Sequence, residues 1–223
     1  MITFNTLNTL IDDILLEYRN SNISESESLN RAQIEQWIIQ YRAILIKQDV
    51  DKGRDISLDY VQTMDTIHIS NVDYNYSSNI FLETGKWIAE TDVDIPKTID
   101  FHFRSGILSV SDLLGNQIQL STEARANSQK NRRYTKDNYV AYKKYNRIRV
   151  EGPGEIEYIK IDGIFENPSE LIINPTGDTR YPIPANMIPV IRDMIFAKEL
   201  HRGIVDNINN SKDDTENIGI SKK

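Results

Sequence analysis

Apolar residues recur with a helical period at both ends of the chain and with a strand period between them. Leu7, Leu10, Ile11, Ile14, Leu15 and Tyr18 fall on one stripe. That spacing predicts an amphipathic helix over 5–20, with Asn5 or Thr6 at its start. A polar loop follows at Ser24-Glu25-Ser26-Glu27-Ser28. Asn30 with Gln33 three residues later has capping-box spacing and predicts a second helix over 30–48. Its main stripe is Ile34, Trp37, Ile38, Tyr41 and Leu45, and Ile39, Ile44 and Ile46 lie outside it. One partner helix cannot cover that much apolar surface, so a second contact surface is implied. A last helix is predicted from Pro184 or Pro189 to His201, with Met187, Ile188, Ile191, Ile195 and Leu200 facing inward and Gly203 as its stop.

Between these helices the period drops to two. Alternation over 58–70, the run after Gly85 at Trp87-Ile88-Ala89, and Phe101-His102-Phe103 all read as strand. Ile107–Val110 and Ile118–Leu120 flank Leu114-Gly115-Asn116, a hairpin turn. Ile148–Val150 and Ile156–Ile161 flank Gly152-Pro153-Gly154, a second turn signal. The expected fold class is therefore α+β. An N-terminal helix pair (1–52) and a C-terminal helix (181–205) form a helical body. A β domain of six to eight antiparallel strands (53–180) is inserted into it, and a tail (206–223) follows.

Composition narrows the chemistry. The chain has no cysteine, which excludes disulfides, thiolate metal sites and cysteine nucleophiles. No signal peptide is expected, and no run approaches the ~18 apolar residues of a membrane span, so the expected compartment is a cytoplasm. His68, His102 and His201 are scattered, without metal-ligand spacing. Asp92-Val93-Asp94 puts two carboxylates on one strand face, which suits either a cation or a solvated edge. There is no phosphate loop, nucleophile elbow or cofactor motif. The reading is of a protein that is not an enzyme and holds no cofactor.

Charge is the informative feature. Residues 125–149 contain nine cations and one acid, Asp137, leaving −15 on the rest of a chain whose net charge is −7. Arg125, Lys130, Arg132, Arg133, Lys136, Lys143, Lys144 and Arg147 alternate there with Tyr134, Tyr139, Tyr142 and Tyr145. The stretch reads as a long loop or extended hairpin that serves as an interface. Two partners fit it. Cations can pair with acids of a neighbouring protein while tyrosines anchor, or they can neutralise phosphates while tyrosines stack on bases. Trp37 is a further anchor candidate, and Ile218 and Ile220 are the apolar residues the tail could bury.

Three stretches carry a resemblance. They are Ile95-Pro96-Lys97-Thr98-Ile99 leading to Gly106-Ile107-Leu108-Ser109-Val110, the basic tyrosine-rich run ending in Ile148-Arg149-Val150, and Ile161-Asp162-Gly163-Ile164-Phe165-Glu166-Asn167-Pro168. With the order of elements, they resemble the head–tail connector adaptors of short-tailed phages, and most closely the ring proteins of crAss-like phages. The resemblance implies a virion structural protein of the neck or tail, assembled in the host cytoplasm. It implies a homo-oligomeric ring, commonly of twelve subunits, that docks under the portal protein, meets other neck and tail proteins and extends the DNA channel. Helices 5–20, 30–48 and 185–202 would build the ring body, and 206–223 would be an arm that orders on docking. Another neck or tail assembly protein, or a DNA-binding module using 125–149, are the alternatives.

The tail yields a test. Residues 206–223 hold Ile208, Ile218 and Ile220 as their apolar content, too little to offset an ordering entropy of ~1–2 kcal/mol per residue without a partner. Amides from Ile208 to Ile220 should exchange rapidly in the isolated subunit and become protected in the assembly. Strong protection in the monomer would refute this.

Overall fold

The change of period at 51–53 marks a change of structure. In a computed structural model that describes residues 6–21, 29–72, 87–129, 132, 134–135, 138–171 and 180–200, the second helix ends there at Gly53. Gly53 sits at φ +82 and its N–H donates to the Val50 carbonyl, as a left-handed C-terminal cap does. The chain divides into two compact units, residues 1–48 with 175–223 and residues 49–174.

The first unit holds helices. Helix α1 (Leu7–Ser21) and helix α2 (Arg31–Asp51) start where the caps predict. The Thr9 N–H donates to the Thr6 hydroxyl at 3.2 Å, and the Ala32 N–H donates to Asn30 Oδ1 at 3.1 Å. Leu7, Leu10, Ile11, Ile14 and Leu15 are buried, as are Ile34, Ile38, Tyr41 and Ile46. Arg42 is also fully buried. Its Nε donates to the Pro182 carbonyl at 2.8 Å, and its guanidinium lies over the Tyr181 ring. Burial pushes the Tyr181 hydroxyl up to about 12. After α3 of the second unit, the chain's last described helix, α4 (Met187–Ile195), continues as a π-helical segment, Phe196–Leu200.

The second unit is a closed barrel of seven strands. They are β1 (Gln62–Asn71), β2 (Trp87–Thr91), β3 (Ile107–Asp112), β4 (Gln117–Ser121), β5 (Val140–Lys144), β6 (Arg147–Gly152) and β7 (Tyr158–Gly163). Their order around the barrel is β1-β2-β6-β5-β4-β3-β7. Helix α3 (Glu123–Gln129) lies between β4 and β5. The interior is apolar: Ile67, Ile69, Ala89, Val110, Ile118, Ala141, Ile148, Val150, Ile159 and Ile161 pack with the ring of Phe165.

This corrects the expected architecture. Among the described residues the chain forms a closed seven-stranded β-barrel and four α-helices, not a helical body with an inserted antiparallel β domain. Three features made the difference. First, β4 and β5 pair in parallel. A parallel pair needs a long crossover, commonly helical, and residues 122–139 supply it with α3. Second, β6 and β7 follow each other in sequence around Gly152-Pro153-Gly154 yet are not neighbours, because β6 pairs with β2 and β5, and β7 with β1 and β3. Third, Phe101-His102-Phe103 is loop rather than strand, with Phe101 buried and Phe103 exposed. The Leu114-Gly115-Asn116 signal does close a hairpin, with Gly115 at φ +87 and Asp112 accepting from the Asn116 N–H at 2.8 Å.

Barrel closure rests on β1. It pairs with β7 along Gln62–His68 and with β2 along Ile69–Asn71. Between Met64 and Ile67 the register slips, and Thr66 takes φ 57. The bulge resets the alternation, so Met64, Ile67 and Ile69 all face the core. A second device packs main chain on main chain. The Ile99 N–H donates to the Ile164 carbonyl at 2.9 Å, and the Ile164 N–H to the Gly106 carbonyl at 2.8 Å. The Glu166 N–H reaches the Lys97 carbonyl at 2.8 Å, and Lys97 Nζ lies 2.7 Å from Glu166 Oε2. A Cβ on Gly106 would lie 2.7 Å from the Thr98 Cβ and overlap the Ile99 carbonyl.

Two substitutions separate these devices. Gly106→Ala forces backbone apart and should destabilise by about 1–3 kcal/mol. Thr66→Gly removes a left-handed penalty of ~1–2 kcal/mol at the expense of about 0.5–1 kcal/mol of chain entropy, so it should be neutral to stabilising. Urea unfolding with unchanged slope and shifted midpoint would report both, and a midpoint lowered by Thr66→Gly would count against the strain argument.

Candidate interface

The basic run is neither one loop nor one patch. Its described residues are spread over α3, the stretch at Arg132, β5 and β6. In β5, Ala141 faces the barrel core, while Val140 and Tyr142 face the other way and pack with Ala126 of α3. The β5–β6 register sets Tyr142 opposite Arg149, Val140 opposite Glu151 and Lys144 opposite Arg147. These side chains stand on the outer wall, beneath α3 or beside β2.

Acids of the same barrel meet several of the cations there. Arg149 Nε donates to Glu90 Oε2 at 2.6 Å, with both side chains about four-fifths covered. Arg147 reaches Asp94 at 2.9 Å and Glu90 at 3.6 Å. Lys144 reaches Glu123 at 2.7 Å. The Tyr142 hydroxyl donates to buried Glu151 at 2.8 Å. Burial, then the hydrogen bond to Glu151, pushes the Tyr142 ionisation up, so the phenol stays a donor. Tyr139 packs its ring on Gly152, where a Cβ would overlap it.

The other expected interface residues sit differently. Arg125, Arg132 and Lys143 are exposed. Among the described residues, no acid lies within ion-pair distance of these three cations. Tyr134 and Tyr145 are 89% and 88% exposed. Tyr145 occupies the first position of the two-residue β5–β6 turn at φ 54, where glycine is usual. The strand directions put Tyr145 at the opposite end of the barrel from the β3–β4 turn. Trp37 is half-buried on α2. Lys130, Arg133, Lys136, Ile218 and Ile220, with the whole tail 206–223, lie outside the described residues.

Asp92 and Asp94 do not converge. Asp92 accepts from Ser70 and pairs with His68, and these contacts, Ser70's first, hold its carboxyl below the usual range. Asp94 goes to Arg147. Among the described residues, no group of three or more potential ligands is placed to hold a metal. No described helix is long and apolar enough to cross a membrane.

Sequence reasoning missed the acids that serve the run. Glu90, Asp94 and Glu123 lie far in sequence from Arg149, Arg147 and Lys144, and Glu151 meets the Tyr142 hydroxyl through the β5–β6 register, so the fold alone brings them together. It also missed the exposed Leu113 and Leu114 on the β3–β4 turn.

No curated protein matches the chain. A family model described as phage tail ring protein 2 matches residues 9–215, across both units and all three stretches that carry the resemblance. A match of that extent is a match to the whole architecture, and the chain belongs to the phage tail ring protein 2 family of crAss-like phages.

Proposed function

We propose that the chain is a non-catalytic subunit of a ring in the phage neck, a connector adaptor of about twelve copies that docks to the portal and extends the DNA channel toward the tail. In this reading the exposed cations Arg125, Arg132 and Lys143 meet acids of a neighbouring protein. The division of the basic run supports it. Lys144, Arg147 and Arg149 are engaged by acids of the same unit, whereas those three are exposed with no described acid in reach. A contact that desolvates them is worth more than the ~0–1 kcal/mol of an exposed pair. A chain with a net charge of −7 supplies acids on every copy.

The same division sets the test. The triple variant R125S/R132S/K143S should assemble less well than wild type at low salt, with the monomer's melting temperature nearly unchanged. The gap should close as salt rises, because screening weakens the wild-type contacts too. Arg149→Gln should behave in the opposite way. It loosens the half-buried pair with Glu90 and should destabilise the monomer by about 1–3 kcal/mol. A triple variant that assembles like wild type at low salt would show these cations to be solvated surface. Binding of the wild-type monomer, but not the triple variant, to duplex DNA with a steep salt dependence would assign them to nucleic acid instead.

A further inference from the structure

Helix α2 carries an unusual outward face. Gln33, Gln36, Trp37, Gln40, Ile44 and Gln48 follow one another at three- and four-residue steps on the side opposite buried Ile34, Ile38, Arg42 and Ile46. The four glutamines are exposed, Ile44 is 36% exposed and Trp37 is half-buried. Within this stripe the charged residue is Lys47. The outward side of α1 is ordinary by comparison, with Asp12, Asp13, Glu17 and Arg19. Solvated helix faces are normally laced with Glu, Lys and Arg. Gln has about the same helix propensity as those residues, so helix stability does not explain the choice.

We propose that this face is where one copy of the chain packs against the next in the ring. The proposal rests on the self-assembly reading above and names the surface that reading leaves open. Charge selects the occupant. Copies that each carry −7 repel, and a stripe without acids, whose one charge is the cation Lys47, is where they approach with least like-charge opposition. Each glutamine amide both donates and accepts, so the stripe can satisfy a second polar surface without burying an ion. Depletion of charge around an aromatic anchor is the composition of an interface centre. At 1.5 Å per residue the stripe is about 22 Å long, and at a helix width of ~10 Å it offers on the order of 200 Å². A stable interface takes about 800 Å² per partner. The stripe is therefore the centre of a larger contact between the copies.

The experiment uses the purified full-length chain. A photo-cross-linking amino acid at position 40 should yield covalent dimers on irradiation of the assembled protein, and the same probe at Asp13 should yield far fewer. The double variant Q40E/I44E should raise the concentration for half-assembly by mass photometry at least about tenfold. Its monomer should melt within about 2 °C of wild type, since both substitutions are exposed and keep a helix-compatible residue. Wild-type-like assembly of the double variant, or rings without dimers cross-linked through position 40, would overturn the α2 face while leaving the ring reading intact. A wild-type chain that stays monomeric at every concentration would overturn both.

Discussion

The bend in β1 is the constraint on which the rest of the barrel depends. One strand must leave β7 and join β2 for the sheet to close. The slip at Asp65-Thr66 lets it do so while Met64, Ile67 and Ile69 stay in the core. Among the described residues every strand of the barrel has a neighbour on both sides, so closure leaves no edge strand to recruit another chain. Contacts with other copies must then be made by side chains on the walls, by turns, or by the helices. Several exposed apolar residues of this unit lie outside the strands: Leu113 and Leu114 on one turn, Tyr145 on another and Phe103 in a loop.

Closure also reorganises the basic run. A stretch that is strongly cationic in sequence becomes a helix and two strands, and the wall of β2, β6 and β5 sets acids beside half of its described cations. The Arg149–Glu90 and Arg147–Asp94 pairs join residues more than fifty positions apart. Glu151 lies nearer in sequence, yet only the β5–β6 register brings it to Tyr142. Such pairs stabilise modestly, but they decide which cations remain for a partner. Arg125, Arg132 and Lys143 are what the barrel leaves over.

Two of the stretches that resemble ring proteins meet in space. Lys97–Ile99, Gly106 and Ile164–Glu166 are laced by main-chain hydrogen bonds around a position where a Cβ does not fit. The third is the β5–β6 hairpin, tied to the first where the Ile95 N–H donates to the Asn146 carbonyl. The three stretches therefore mark one connected part of the barrel, where backbone approaches backbone.

Local elements were legible in the sequence because their causes are local. The stripe of α1, the Asn30 cap of α2 and the Leu114-Gly115-Asn116 hairpin each follow from residues a few positions apart. The strand β5, the helix α3 and the positive-φ turn at Tyr145 were not legible. The first two lie in a polar, cationic stretch with little periodicity, and the third uses a residue that turns rarely place there. Strand order, barrel closure and the division of the cations into engaged and exposed were decided by tertiary structure alone. Alternation says that a residue faces a core but not which strand stands beside it, and an ion pair across a sheet is set by register, which no window of sequence contains.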